Sequence, residues 1–570
     1  MKTLLVAMNS QYVHSNLAVW QLKACCTDEC GEVAVKEYNI NQQLKWILND
    51  IVGQSPDVVA FSCYIWNIEM MYKLMQDVKT CLPDAVIIAG GPEISFDYEK
   101  ILKEHGFIDY IAVGEGDETL PHLLRSLANG ESCKIDGICS SKDIKPTNYA
   151  VVKDIDSLPS PYTDEMLESA NGKIIYIETS RGCPFSCSYC LSQISHGVRY
   201  VSIEKVKQTL VMLENKGIKL LKFTDRTFNC NEKRALEIWR FAKENISKMK
   251  LHFEVGADLF SDEAIEFLEQ MPCSSIQLEA GVQSTNEKTL STVCRKTSLQ
   301  KLFSNSRKIL SFNNIHYHLD LIAGLPYEDY ETFAKSFDDV YSLRPHQLQL
   351  GFLKMLKGSK IRREADMYNY KYRSYAPYEV ISNDFLSVGD TMNLIKIEEA
   401  LERYYNSGRF KISLPMIEKK FSGAFRMYEA IADFLDKIGA VDRSVGISNQ
   451  FDMLYDFGKT VFSQDEQELF ADCLRADWAI SGFKGKMPSS IPEKQIEKQF
   501  TDEFFKTEQY KNFVNSDFEN KKEMMKSLSF HAIEHDVFSN GKKCEIVFIT
   551  DNTNINLIDG RLFFTIIMKK

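Results

Sequence analysis

Arg181-Gly-Cys-Pro-Phe-Ser-Cys-Ser-Tyr-Cys190 sets three cysteines, Cys183, Cys187 and Cys190, in one run with the spacing C-x3-C-x2-C. Ligation of an iron–sulfur cluster ordinarily takes four cysteine thiolates. A loop that supplies three can hold three irons of a [4Fe–4S] cluster and leaves the fourth iron open to another ligand. Residues 174–179, Ile-Ile-Tyr-Ile-Glu-Thr, form a β-rich run before this loop, and residues 203–215 have helical spacing after it. Three unrelated buried thiols are the competing reading, because free cysteine is among the most buried residue types. The strand–loop–helix order argues for the cluster.

The rest of the composition is that of an ordinary globular chain. Its 570 residues are enough for about three or four domains. Charged residues make up 26% and hydrophobic ones 44%, which excludes a disordered or fibrous chain. No apolar run reaches the ~20 residues that span a bilayer, and the apolar start, Met1-Lys-Thr-Leu-Leu-Val-Ala-Met, is too short for a signal peptide. The expectation is a cytoplasmic protein without a membrane segment. Fifteen cysteines in such a chain are not a disulfide framework. A net charge of −11 argues against a protein that coats nucleic acid, although a local basic groove stays open.

Before the cysteine loop, residues 1–150 alternate β-rich runs (3–8, 33–38, 57–64, 85–90 and 109–113) with helical spacing such as Met70, Leu74 and Val78. Repeated βα units predict a doubly wound, Rossmann-like parallel sheet whose ligands bind at the carboxyl ends of the strands. The loops at those ends hold Ser10, Tyr12 and His14; Ser62 and Tyr64; Gly90, Gly91, Pro92 and Glu93; and Gly114, Glu115 and Gly116. A linker over 151–170, with Pro159 and Pro161, leads to six further βα units within 171–360. Their strands fall near 174–179, 220–224, 251–256, 275–280, 316–322 and 347–354. Six units predict a partial (βα)6 TIM-like barrel, with its site at the C-terminal strand ends.

The cysteine spacing, with this strand–loop–helix context, resembles the signature of the radical S-adenosylmethionine (SAM) superfamily. With the loop set ahead of it, the chain resembles the cobalamin-dependent, B12-binding class of these enzymes. That resemblance implies that Cys183, Cys187 and Cys190 hold a [4Fe–4S] cluster whose open iron binds SAM, and that the N-terminal loops hold cobalamin. It places Tyr189 near the SAM adenine and Asp225, in Lys222-Phe-Thr-Asp225, at the SAM amino group. Helix capping is the other use of an Asp at such a point. In Gln277-Leu-Glu279-Ala-Gly-Val-Gln283, Glu279 is implied to accept from the ribose, and Gln283 to contact SAM or shape the loop. Gly324, in Gly-Leu-Pro326, would form the turn beside the adenine. In the cobalt-ligating motif Asp-x-His-x-x-Gly, Tyr12 and Leu17 here replace the Asp and Gly. His14 is therefore read as a hydrogen-bonding or plain loop histidine. Cys25, Cys26 and Cys30 are read as packing residues on a helix.

Residues 361–570 are expected to form a mixed α+β accessory or substrate-binding domain. They resemble a domain of unknown function appended to a subset of the class. Helical spacing covers 385–405 and 425–438, and two β-rich runs, 544–550 and 561–568, close the chain. The Lys- and Phe-rich run 484–526 reads as a solvated helical surface in preference to a nucleic-acid face. No catalytic residue is assigned. The resemblance implies a methyltransferase that carries a methyl group by methylcobalamin to an unactivated carbon, through a substrate radical made by the 5′-deoxyadenosyl radical. The alternative keeps both cofactors for a rearrangement or cyclisation, and a non-catalytic sensor is the third reading. The implied partners are an electron donor such as flavodoxin or ferredoxin and a small-molecule or RNA-base substrate.

Overall fold

The computed structural model of the chain describes residues 1–131, 135–194, 197–483, 487–491, 528–539, 541–555, 558 and 561–568. The run 484–526 therefore lies, apart from 487–491, outside the described residues.

The N-terminal sheet comprises β1 (Lys2–Asn9), β2 (Glu32–Asn39), β3 (Val58–Ser62), β4 (Val86–Gly90), β5 (Tyr110–Ala112) and β6 (Ile138–Ser140), in the order β2-β1-β3-β4-β5-β6. Its first five strands are parallel, and β6 pairs antiparallel to β5. The central strand β1 is apolar and buried on both faces, as expected for a parallel sheet covered by helices on both sides. One face packs on the helices Leu44–Gly53 and Ile68–Cys81 through Ile47, Ile51, Met71 and Leu74. The other face shares a continuous core with the second sheet. The helix expected to carry all of Cys25, Cys26 and Cys30 ends at Cys25. Cys26 caps it, and buried Cys30 follows on a single 3-10 turn, because Thr27 and Asp28 break the helical spacing.

The second sheet has six parallel strands: β7 (Ile175–Ile177), then, beyond the short hairpin β8 (Ser180–Arg181) and β9 (Arg199–Tyr200), β10 (Leu220–Phe223), β11 (Lys250–Glu254), β12 (Ile276–Gln283), β13 (His316–Ala323) and β14 (Gln347–Phe352). Strand order follows chain order and the two edges, β7 and β14, do not pair, which makes an open barrel. Along β12 and β13 buried and half-buried residues alternate strictly. Leu278, Val282, Tyr317 and Leu319 are fully buried, while Glu279, Gln283, His318 and Asp320 take the alternate positions. Many crossover helices begin on a side-chain cap: Asn231, Ser261, Ser298 and Asp329 each accept a backbone N–H of the first turn.

Beyond the barrel, β15 (Lys371–Tyr372) and β16 (Val380–Ser382) form a small hairpin. Five α-helices follow among the described residues: Val388–Leu401, Ser413–Glu418, Ala424–Lys437, Ile447–Val461 and Gln464–Ile480. Of these, Ala424–Lys437 packs on the barrel helix Tyr330–Tyr341, where Phe337 and Tyr341 meet Phe425 and Tyr428. An antiparallel sheet of β17 (Leu528–His535), β18 (Lys543–Ile555) and β19 (Leu562–Met568) closes the region. Ile533 and Ile546 of this sheet pack on Ala476 and Ile480. The region is thus mixed α and β.

Gly91, at the end of β4, has a φ of +108°, and a Cβ there would fall 2.5 Å from the Cys63 carbonyl oxygen. Gly91→Ala should cost more than about 1 kcal/mol, because both the dihedral and the space exclude a side chain. A lowered urea midpoint at unchanged slope is the expected result.

Candidate functional site

The two sheets meet along a backbone seam. Ile174, just before β7, donates its N–H to the Val13 carbonyl at 2.7 Å and accepts from the Ser15 hydroxyl at 2.7 Å. At this seam His14 Nδ1 lies 2.6 Å from the Tyr176 hydroxyl, on the first barrel strand. Burial and the nearby Lys222 ammonium lower the His14 pKa and keep the imidazole neutral. The carboxyl ends of the N-terminal strands therefore face the barrel.

Those strand ends present aromatic surface. Tyr12 and Trp66 are 68% and 42% exposed, and Trp66 stacks on Tyr64 with ring centroids 4.5 Å apart. Asn67 fixes the loop by donating to the Met8 and Ser62 carbonyls and accepting from Tyr64 N–H. Ser10 is half-buried. An open aromatic rim on a doubly wound sheet suits a large, flat, partly apolar cofactor such as cobalamin. Pro92 starts a short helical turn whose Ser95 hydroxyl donates to the Gly91 carbonyl and accepts from Gly114 N–H.

Four of the residues expected to face cobalamin are occupied within the protein. A Cβ at Gly114 would sit 2.4 Å from the Ala150 carbonyl, and one at Gly116 would sit 3.0 Å from Leu22 Cδ2, so both glycines admit the chain's own neighbours. The space beside Gly90 is less tight, with Ala112 Cβ at 3.5 Å. Glu93 is buried, accepts from the Tyr378 hydroxyl at 2.9 Å and lies 3.6 Å from Lys357 Nζ. Glu115 holds Arg199 at 2.7 Å and Arg181 at 3.1 Å and accepts the Val152 N–H. Burial works against the Glu115 carboxylate, but these arginines hold its pKa below the ordinary carboxylate value.

Arg181 is the residue that the sequence reading passed over. It stands two positions before Cys183 and pairs with Asp117 at 2.9 Å and Glu178 at 2.8 Å in addition to Glu115. Its side chain is 18% exposed and those of Glu115 and Asp117 are 12% and 8% exposed, so the network is largely shielded from water. It fastens the loop after β5 directly to the cysteine loop. Its signal was the conjunction of an arginine inside the cysteine run and the Glu-Gly-Asp-Glu run far upstream.

The cysteine loop is bracketed by the β8–β9 hairpin. Cys183 Sγ lies 3.7 Å from the Thr227 hydroxyl, Cys187 is buried beside Arg295 and Tyr189, and Cys190 accepts Ser192 N–H at 3.4 Å. Burial raises the Cys187 pKa while the Arg295 charge opposes it. Among the described residues no three His, Cys, Asp or Glu side chains converge as a metal site. The donor set nevertheless suits a cluster that keeps one iron open: three thiols on one loop.

Beside it lies a polar cavity of about 140 Å3 lined by Cys187, Glu254, Glu279, Gln283, Arg295 and Asp320 among others. Gln283 Oε1, Asp320 Oδ1 and Arg295 Nε are buried without a hydrogen-bond partner. Unpaired buried polar atoms of both kinds suit a ligand with donors and acceptors, as SAM has. Gln283 adopts a φ of +72° at a bulge in β12, which folds its amide over Gly281. Arg295 donates to the Gly281 carbonyl and reaches the Tyr189 hydroxyl at 3.4 Å. Glu279 is paired with His252 at 3.1 Å, and this bond keeps its pKa low. Burial instead raises Glu254 to about 7 and pushes Asp320 well up.

Two expected SAM contacts are placed differently. Asp225 is buried and accepts from Thr179 N–H, Thr179 Oγ1 and Ser180 Oγ, which ties β10 to the start of the cysteine loop. Burial raises it to about 6 despite these bonds. It is neither a helix cap nor part of the cavity lining. Gly324 turns with a φ of +96°, and its carbonyl is taken by the Tyr370 hydroxyl and the Asn383 amide.

Three family models match the chain in sequence order: the B12 binding domain over residues 3–124, the Radical SAM superfamily over 177–340, and a protein of unknown function (DUF4080) over 366–550. An uncharacterized methyltransferase of Pyrococcus horikoshii is 25% identical over 304 residues, 50% of this chain and 66% of that protein. The cobalamin-dependent radical SAM methyltransferase TokK of Streptomyces tokunonensis is 25% identical over 313 residues, 51% of this chain and 46% of TokK. The chain thus spans less than two thirds of the length of these relatives. Among solved structures, the cobalamin-dependent S-adenosylmethionine radical enzyme OxsB with aqua-cobalamin bound superimposes with a TM-score of 0.55 at 15% identity, covering 84% of this chain and 79% of OxsB. The chain belongs to the cobalamin-dependent radical SAM enzymes. It is of the subset that carries the DUF4080 domain, and its cofactors are a [4Fe–4S] cluster, SAM and cobalamin.

Arg181→Met would leave Asp117 and Glu178 without their cation, while Glu115 keeps Arg199. The expected loss is about 3–5 kcal/mol in urea unfolding, as for other broken buried pairs. Glu254 supplies a pH test. Its folded pKa of about 7 exceeds the ordinary 4.5, so its contribution is complete below pH 4.5 and is lost as pH rises through 7. Glu254→Gln should therefore melt higher than the parent at pH 8, by the equivalent of about 2 kcal/mol, with the gap closing towards pH 5.

Proposed function

We propose that this protein is a cobalamin-dependent radical SAM methyltransferase that places a methyl group on an unactivated carbon of a small molecule or a modified tRNA base, working in the cytoplasm with a flavodoxin or ferredoxin as reductant. The observation that carries the reading is the Arg181 network, which ties the loop after β5 of the B12-binding sheet to the cysteine loop and so supports placing the two cofactor sites side by side. When bound, the cluster and SAM supply a hydrogen-abstracting radical and cobalamin supplies the methyl group.

The chain's own residues bind, orient and exclude water. Cys183, Cys187 and Cys190 would hold the cluster. Gln283, Arg295 and Asp320 offer the unpaired donor and acceptors for SAM, and Glu279, held ionised by His252, offers a further acceptor. Tyr189 would lie against the adenine, braced by Arg295. Tyr12, Tyr64 and the exposed face of Trp66 would support the corrin, and His14, committed to Tyr176 through Nδ1, would shape that rim. Asp225 holds the start of the cysteine loop in place through Thr179 and Ser180.

Nucleosides from total tRNA of a strain lacking the protein, compared with its parent by mass spectrometry, test the substrate. A nucleoside short of one methyl group is the expected outcome for a tRNA base, whereas an unchanged profile directs the search to small molecules. With the substrate in hand, S-adenosylhomocysteine and 5′-deoxyadenosine should form in equal amounts per product. A product that forms without S-adenosylhomocysteine would instead mark a rearrangement or cyclisation. Replacing the three cysteines by alanine should abolish SAM cleavage.

A further inference from the structure

Residues 354–373, directly after β14, carry seven lysines and arginines against two acidic residues, in a chain whose net charge is −11. This strap crosses the junction of the two sheets. Lys357 reaches Glu93 of the N-terminal sheet, and Ile361 donates its N–H to the Ser188 carbonyl at 3.0 Å. Ser188 lies between Cys187 and Cys190, so the strap is bonded to the backbone of the cysteine loop itself. Lys354, Arg363, Lys371 and Arg373 of the strap are exposed, as is Met367 at 67%. Lys354 and Lys371 have no ion-pair partner among the described residues. Exposed cations, two of them without an ion-pair partner, and an exposed apolar side chain on one strap attract a negatively charged protein and give it a point of contact.

We propose that the strap 354–373 is the docking face for an acidic flavodoxin-type one-electron carrier. This rests on the function proposed above, in which the cluster must be reduced before it can cleave SAM. One electron leaves the carrier's reduced flavin and enters the cluster, and no atom or proton crosses. The hydrogen bond from Ile361 to Ser188 continues through Tyr189 to Cys190 as a short bonded route from the face to the thiolates. Nucleic acid is also drawn to positive charge, but a stacking platform needs open rings. The strap's tyrosines are engaged: Tyr370 is buried and bonds to Gly324, Tyr368 packs on Tyr327 and Phe385, and half-buried Tyr372 lies under Arg362; just beyond the strap Tyr378 bonds to Glu93, and Tyr375 is an exposed ring at 50%.

The test uses full-length protein with its cluster reconstituted, reduced in one arm by flavodoxin hydroquinone and in the other by dithionite, followed by visible bleaching and electron paramagnetic resonance. In Lys354→Glu/Lys371→Glu, flavodoxin-driven reduction should slow by roughly tenfold and lose its salt dependence, as expected when steering charge is reversed. Reduction by dithionite should be unchanged. Equal flavodoxin-driven rates in parent and variant would overturn the proposal. So would loss of total-tRNA binding in the variant at unchanged flavodoxin rates, which would make the strap a nucleic-acid face. A parent in which dithionite itself gives no reduced-cluster signal would overturn the cluster reading and the docking face together. A parent reduced by dithionite but not by flavodoxin would overturn the docking face alone.

Discussion

A single guanidinium holds this architecture in register. Arg181 faces Glu115, Asp117 and Glu178 with little water around it. The isolated Coulomb attraction of such groups is large in a low-dielectric setting, but so is the cost of removing them from water. What makes the arrangement tenable is the completeness of its hydrogen bonding, with Arg199 sharing the Glu115 carboxylate. The partners come from two sheets and from the cysteine loop. The distance between the two cofactor-bearing halves is therefore set by this cluster of charges as well as by the seam at Ile174.

The interior of the barrel departs from that of a closed one. Closed (βα)8 barrels fill their lumen with branched aliphatic layers. Here the inward positions of the neighbouring strands hold Lys222, His252, Glu254, Gln277, Glu279, His316, His318 and Asp320. His252 binds Glu279, and His318 reaches Gln277 at 3.4 Å. Burial keeps His316 and His318 neutral, at about 3 and about 4. Six strands cannot close, and an open lumen stays in contact with water and ligand, so polar side chains are tolerated where a closed barrel would exclude them.

Much of the fold was legible in the chain. The β-rich runs became the parallel strands, because a sheet covered by helices demands continuous or alternating apolar residues that the sequence displays. The short pieces were not legible. β6, the β8–β9 hairpin and β15–β16 are two or three residues long, too brief for any periodicity to register. Within the site the cysteine spacing was readable, since all three ligands lie on one local run. Arg295, which lines the cavity and braces Tyr189, was not, because only the packing of the loop after β12 brings it there. The loop glutamates were misjudged for the same reason. An acidic residue at a strand end looks the same in sequence whether a ligand or a neighbouring arginine will take it.

The sequence by itself determined the class of chemistry and the two α/β sheets. Thiol spacing and hydrophobic periodicity are local properties, set by residues within a few positions of one another. Only the tertiary structure decided which charged groups are spoken for. It committed Glu93, Glu115 and Asp225 to protein partners and left Gln283, Arg295 and Asp320 with unpaired atoms at the cavity. Hydrogen-bond satisfaction depends on which atoms meet after the chain has closed on itself, across separations of tens to hundreds of residues, and no local pattern records it.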